Sequence, residues 1–179
     1  MKRNITSILF ATFTFTLLQG CITPAPEIPL ELRYQEPVQT SGLPTIVGSE
    51  EPNGIVGDSS AFVYSIDGKI VVLKHKPRNR LWGSVTDEPG GILMPLHLTE
   101  GHHELEIKFE RSGQYYAYAS TKLSVDLKKN MKYQVMFATD GPKFFGSKLY
   151  YCELWIVETG SGIALTKKIR IDSKDMFQY

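Results

Sequence analysis

Gly101-His102-His103-Glu104-Leu105-Glu106-Ile107-Lys108-Phe109-Glu110 is the stretch that decides the fold. His103, Leu105, Ile107 and Phe109 fall on one side of a two-residue period, and Glu104, Glu106, Lys108 and Glu110 on the other. Successive side chains of a strand point to opposite faces, so this alternation predicts a strand with one buried and one wet face.

The same period recurs on both sides. Upstream, Phe62, Tyr64 and Ile66 alternate with Val63 and Ser65, and the chain resumes after Asp67-Gly68 as Ile70-Val71-Val72-Leu73. An Asp-Gly pair between two β-rich runs predicts a two-residue hairpin, whose central residues both need positive φ. A short run covers Ile92-Leu93-Met94-Pro95-Leu96. Downstream, Ala117, Ala119, Leu123, Val125 and Leu127 share one face, and Tyr133, Val135 and Phe137 continue beyond the turn at Lys129-Asn130. Leu149 to Val157 is apolar on both faces, as a central strand would be, and carries Cys152, Leu154 and Ile156 on one side. After Thr159-Gly160-Ser161-Gly162, the residues Ile163, Leu165, Lys167 and Ile169 form a last strand. No segment carries a helical period. The pattern predicts an all-β domain, an antiparallel β-sandwich of Ig-like or transthyretin-like kind, over residues 45–172. Leu105, Ile107, Phe137 and Trp155 are expected in its core, with Glu104, Glu106 and Lys108 in water. Residues 173–179 are expected as a loose tail.

The first twenty residues have a different character. Lys2 and Arg3 precede an apolar run from Ile5 to Leu18, and small Gly20 precedes Cys21. This order of charge, apolar segment and small residue is that of an export signal. Leu18-Gln19-Gly20-Cys21 resembles the lipobox of bacterial lipoproteins. That resemblance implies cleavage before Cys21, diacylation of its sulfur and acylation of its new amino group. Several acyl chains hold a protein firmly where one holds it only marginally. Ile22, rather than Asp, after the cysteine implies sorting to the outer membrane, with the domain in the periplasm or at the cell surface.

From Ile22 to Pro44, prolines 24, 26, 29, 37 and 44 recur without a strand or helix period, so residues 21–44 read as lipidated cysteine plus extended tether. At ~3.1 Å per residue, roughly twenty residues reach ~60 Å. Leu30, Leu32 and Tyr34 alternate as a short strand would, and offer a second arrangement in which the segment docks along the domain.

Several pieces of the domain, Ile46-Val47-Gly48-Ser49, Ile66-Asp67-Gly68-Lys69, Leu98-Thr99-Glu100-Gly101-His102-His103-Glu104-Leu105, Leu127-Lys128-Lys129-Asn130-Met131-Lys132-Tyr133 and Leu154-Trp155-Ile156-Val157-Glu158-Thr159-Gly160, occur in an order similar to small bacterial outer-membrane lipoproteins with a β-sandwich domain. Glu100 and Asn130 stand where that pattern has Pro and Gly. The resemblance implies a fold and a compartment; fold alone does not fix an activity.

The chemistry on offer is sparse. The chain has 20 Lys and Arg against 19 Asp and Glu, and without Lys2 and Arg3 the balance is about neutral, which argues against a nucleic-acid partner. The densest basic cluster, Lys167-Lys168-Ile169-Arg170, reads as a solvated strand face, with a lipid-headgroup contact as the second reading. There are four histidines: His75, His97, His102 and His103. Neighbours on a strand point apart, so His102 and His103 cannot both reach one metal. His103 reads as a hydrogen-bonded core residue, and His102 with Glu104 and Glu106 as a solvated face or a weak zinc set. No P-loop, HExxH, EF-hand or nucleophile-elbow pattern occurs. Cys152 has no intrachain partner if Cys21 carries lipid, and reads as a buried, inert thiol. Phe144 and Phe145, between Pro142-Lys143 and Gly146-Ser147, read as an exposed pair that contacts a protein or membrane partner. The expectation is therefore a structural or protein-interaction module of the envelope, lipid-anchored through palmitate-type chains at Cys21, with no catalysis, no cofactor and no metal. A glycan- or peptide-binding module is the alternative, and a metal-dependent enzyme the distant one.

Overall fold

The computed structural model describes residues 28–52, 58–72, 92–112, 116–140 and 149–178. Among these, the chain forms strands β1 (Thr45–Val47), β2 (Ser49–Glu51), β3 (Ser59–Ile66), β4 (Lys69–Ile70), β5 (Leu96–His97) and β6 (Gly101–Arg111). They are followed by β7 (Ala117–Leu127), β8 (Lys132–Thr139), β9 (Tyr151–Glu158), β10 (Ile169–Asp172) and β11 (Phe177–Gln178). Two one-turn 3-10 segments, Leu30–Leu32 and Ser173–Asp175, complete the order.

Two sheets pack face to face as a β-sandwich. One runs β10-β9-β8-β1-β5, and the other β11-β7-β6-β3-β2 with β4 also on β3. All pairings are antiparallel except β1 with β8, which is parallel in the register Thr45↔Lys132 to Val47↔Gln134. The longest ladder joins β6 and β7 from Gly101↔Leu127 to Arg111↔Ala117. The strands at the sheet edges, β2, β5, β10 and β11, are all short, which limits the unpaired backbone offered to another chain.

The core lies between the sheets. Leu105, Ile107 and Phe109 of β6 are fully buried and face Val135, Leu154 and Ile156 of the opposite sheet. The rings of Phe109 and Phe137 meet across the interface with centroids 5.3 Å apart, tilted by 54°. Each such aliphatic or aromatic side chain contributes ~1.5–3 kcal/mol when fully buried. The expected faces of β6 and β7 are the observed ones, although Glu106 and Lys108 are half-buried rather than fully in water.

Four expectations need correction. In β3 the register shifts between Val63 and Ser65, so Ala61, Val63 and Ile66 face the core opposite Phe109, Ile107 and Leu105. A bulge adds one residue and reverses the parity after it, so the expected alternation of Phe62, Tyr64 and Ile66 with Val63 and Ser65 does not run through the strand. Trp155 alternates with the fully buried Leu154 and Ile156, so it lies on the outer face and is half-buried. The apolar run of β9 did not reveal which face was inner. The last strand is interrupted: Ala164 makes an isolated bridge to Val157, and regular pairing resumes only at Ile169. Finally, residues 173–178 are not a loose tail. Met176 is buried, and β11 extends the second sheet through Phe177↔Tyr118 and Gln178↔Ala117.

Gly48 marks the point where the chain leaves one sheet for the other, between β1 and β2. Its N–H donates to the Ile92 carbonyl at 2.8 Å. A Cβ there would lie 2.6 Å from the Ala61 carbonyl oxygen and 2.6 Å from Ile92 Cγ2. Only a residue without a side chain fits so close an approach.

Candidate functional site

The end of the sandwich formed by the β3–β4 turn gathers a set of linked polar groups. Asp67 and Gly68 both have positive φ, 50° and 78°, as the Asp-Gly pair predicts. The turn holds the Asp67 side chain over the start of β6. Its Oδ1 accepts the Glu104 N–H at 2.9 Å, and its Oδ2 lies 2.7 Å from His103 Nδ1, which donates to it. His103 Nε2 lies 3.0 Å from the Thr99 carbonyl and 3.3 Å from Thr99 Oγ1. The imidazole is buried, whereas the carboxylate is half-exposed, at 51%. Burial alone would raise the Asp67 pKa, but the Glu104 N–H and the hydrogen bond and charge of His103 outweigh it and hold the carboxyl below its ordinary range. The group ties a turn to two neighbouring backbone segments, as the core reading of His103 anticipated.

The segment before β1 is fastened to this same end. Arg33 bridges to Ile70 in parallel, and the Tyr34 N–H donates to the Ile70 carbonyl at 2.7 Å. The Tyr34 ring packs on the core, and its hydroxyl donates to the His97 carbonyl at 2.7 Å. Burial first, then the charges of Glu36 and Asp67, push its pKa up to about 12. Lys69 Nζ donates to the Glu31 carbonyl and Arg33 Nε to the Ile28 carbonyl, each at 2.6 Å. Residues 28–34 thus dock on the domain, though as a 3-10 turn followed by a bridge rather than as the strand Leu30-Leu32-Tyr34 suggested. The docked arrangement thus holds for residues 28–34, and residues 21–27 lie outside the described residues.

The remaining described histidines are engaged as well. His97 Nδ1 lies 3.0 Å from Glu36 Oε2, and His102 Nδ1 lies 3.1 Å from Asp126 Oδ1 across the β6–β7 ladder. Glu104 pairs with Lys122 at 2.9 Å, and Glu106 accepts from the Ser65 hydroxyl at 3.2 Å. The structure therefore distributes His102, Glu104 and Glu106 among separate partners. Among the described residues no group of three or more His, Cys, Asp or Glu is placed to hold a metal ion. His75 lies outside the described residues.

Outward-facing rings carry cations. Lys108 Nζ stands 3.1 Å from the Tyr64 ring centroid and 5.2 Å from that of Tyr118. Lys168 Nζ is 4.3 Å from the Trp155 centroid, and the Arg170 guanidinium is 3.8 Å from that of Tyr151. The basic cluster thus lies along the aromatic face of β9, where Arg170 also pairs with Asp172 at 2.9 Å. Cys152 is fully buried, and burial followed by the Glu153 charge pushes its thiol up to about 12. At that value the thiolate, the reactive form, is scarce near neutral pH.

Cys21 and the Phe144-Phe145 pair lie outside the described residues. The residues that sequence reasoning missed are the clasp role of Asp67, the Tyr34 lock and Arg111. Arg111 is buried at the far end of β6, and burial lowers its pKa. Its signal was present, since it continues the odd-numbered inward face of Leu105, Ile107 and Phe109.

No protein-family model matches this chain. No curated protein and no solved structure matches it either. Among the described residues no helix is long and apolar enough to cross a membrane.

Proposed function

We propose that this protein is a lipid-anchored envelope protein of the bacterial outer membrane, whose sandwich serves as a structural or protein-interaction module without catalysis. The observation that carries the reading is Leu18-Gln19-Gly20-Cys21 closing a short apolar run that follows Lys2-Arg3. The lipid at Cys21 would be the membrane partner. An envelope protein is the second partner, and no nucleic acid is involved.

Two further features support the module reading. The polar groups around Asp67 and His103 are spent on holding backbone segments together. The outer rings of Tyr64, Trp155 and Tyr151, which a sugar would stack upon, already carry Lys108, Lys168 and Arg170. That arrangement favours a protein partner over a glycan.

The test is Cys21→Ser. Labelling by a palmitate analogue and processing at this position should both be lost, and the protein should leave the membrane fraction. A Cys21→Ser protein that still labels and still sediments with membranes defeats the reading. Cross-linking in detergent-solubilised envelope, set against binding to isolated peptidoglycan, separates the protein partner from the glycan.

A further inference from the structure

We propose that the turn Leu30–Leu32 is a membrane contact, so that the domain sits on the lipid surface rather than standing clear of it. The inference rests on the reading of Cys21 as lipidated. Only residues 22–27 separate Cys21 from Ile28, where the docked segment begins. Even fully extended, that chain spans no more than about 25 Å. The end of the sandwich that bears residues 28–34 therefore stays within that reach of the bilayer that holds the acyl chains.

What this end presents suits a lipid surface. Leu30 is 67% exposed and Leu32 is 48% exposed. Both sit on a turn closed by Leu32 N–H to the Pro29 carbonyl at 3.0 Å and Arg33 N–H to the Leu30 carbonyl at 3.1 Å. The turn is pinned from outside by Lys69 and by the Ile70 backbone. Two leucines are thus held in water by a fastened backbone, and cannot retreat by local rearrangement. The exposed Lys69 ammonium, which donates to the Glu31 carbonyl, lies beside them and suits anionic headgroups. The exposed Glu31 carboxylate between them limits the depth, so the leucines seat at the headgroup level rather than among acyl chains. Two side chains would bind a membrane only feebly from solution. The anchor makes the encounter intramolecular, and a high effective concentration lets a feeble contact persist.

A probe at this turn tests it. Leu30→Cys is labelled with an environment-sensitive fluorophore in the full-length lipidated protein, and Tyr150→Cys serves as the distant control. Cys152 is buried and will not compete for the label. Tyr34 meets His97, which pairs with Thr45 beside Lys132 at the start of β8, whereas Tyr150 lies beyond the other end of that strand. The two labels are therefore about 25 Å apart along the sheet. In vesicles of phosphatidylethanolamine and phosphatidylglycerol, the label at position 30 should shift to the blue and be quenched by a headgroup nitroxide, and that at position 150 should not. Adding Leu32→Glu should return the first label to a water-like spectrum while the protein still floats with the vesicles. If the protein carries lipid and floats, but position 30 reports water throughout, the seated geometry is wrong and the anchor stands. If the protein carries no lipid, the anchor reading and this inference fall together.

Discussion

The Asp67 carboxylate accepts a 2.7 Å hydrogen bond from His103 Nδ1 and, through its other oxygen, a 2.9 Å bond from the Glu104 N–H. One side chain thus fastens the β3–β4 turn to the first residues of β6. The link spans thirty-odd residues of sequence but lies between neighbouring strands, because β3 and β6 pair directly.

Asp67→Asn keeps a residue that tolerates positive φ but removes the charge. Hydrogen bonds to charged groups contribute ~1.5–3 kcal/mol, and the half-exposed setting of this one reduces that to about 1 kcal/mol. The folded pKa lies below the ordinary value of 3.8. The stabilisation is therefore complete above the carboxylate range and is lost as pH falls through the folded pKa. Urea midpoints of wild type and variant should differ near neutral pH and converge in acid. A gap that persists undiminished in acid would assign the effect to turn geometry.

Gly48→Ala should destabilise by ~1–3 kcal/mol, the range for inserting a methyl into a filled space. Its Cβ meets the Ala61 carbonyl and Ile92 at 2.6 Å, so backbone must shift. Gly160→Ala is the control, since its nearest neighbour is Glu158 Oε1 at 3.8 Å. Equal thermal midpoints for the two variants would contradict the tight crossing between sheets.

Tyr34→Phe deletes one half-buried hydrogen bond and should cost ~0.5–1.5 kcal/mol. Tyr34→Ala also removes the ring from the core and should release residues 28–34. Limited proteolysis reads the difference. Cleavage within this segment should appear in Tyr34→Ala and stay slow in Tyr34→Phe, and equal cleavage of wild type would show that the segment is not fastened.

Cys152 should resist a disulfide-exchange reagent in the native protein near neutral pH and react fully once the protein unfolds. At a fixed pH the rate should follow the denaturant transition. Fast native labelling would mean that β9 opens locally far more often than its pairing between β10 and β8 allows.

The alternation His103 to Phe109 placed β6 with its correct inner face, because a strand's two-residue period is local and one face of this strand meets water. Asp67-Gly68 and Asn130 were legible for the same kind of reason. Positive φ is a steric property of single residues, and Asn130, at φ 62°, is of the type that tolerates it. The side of β9 that faces inward was not legible, since Leu154, Trp155 and Ile156 are all apolar and only the opposite sheet selects between them. The bulge at Tyr64 was hidden because its cause is the register with β6, not the residues themselves. The docking of Arg33 and Tyr34, the parallel pairing of Thr45 with Lys132 and the closure by Phe177-Gln178 all join residues remote in sequence. Local patterning determined the long strands β6, β7, β8 and β9 and the turn at Asp67-Gly68. Which strand lies beside which, and hence which end of the sandwich gathers Tyr34, Asp67 and His103, was decided by the burial of apolar faces against distant partners and by the backbone hydrogen bonds those partners supply.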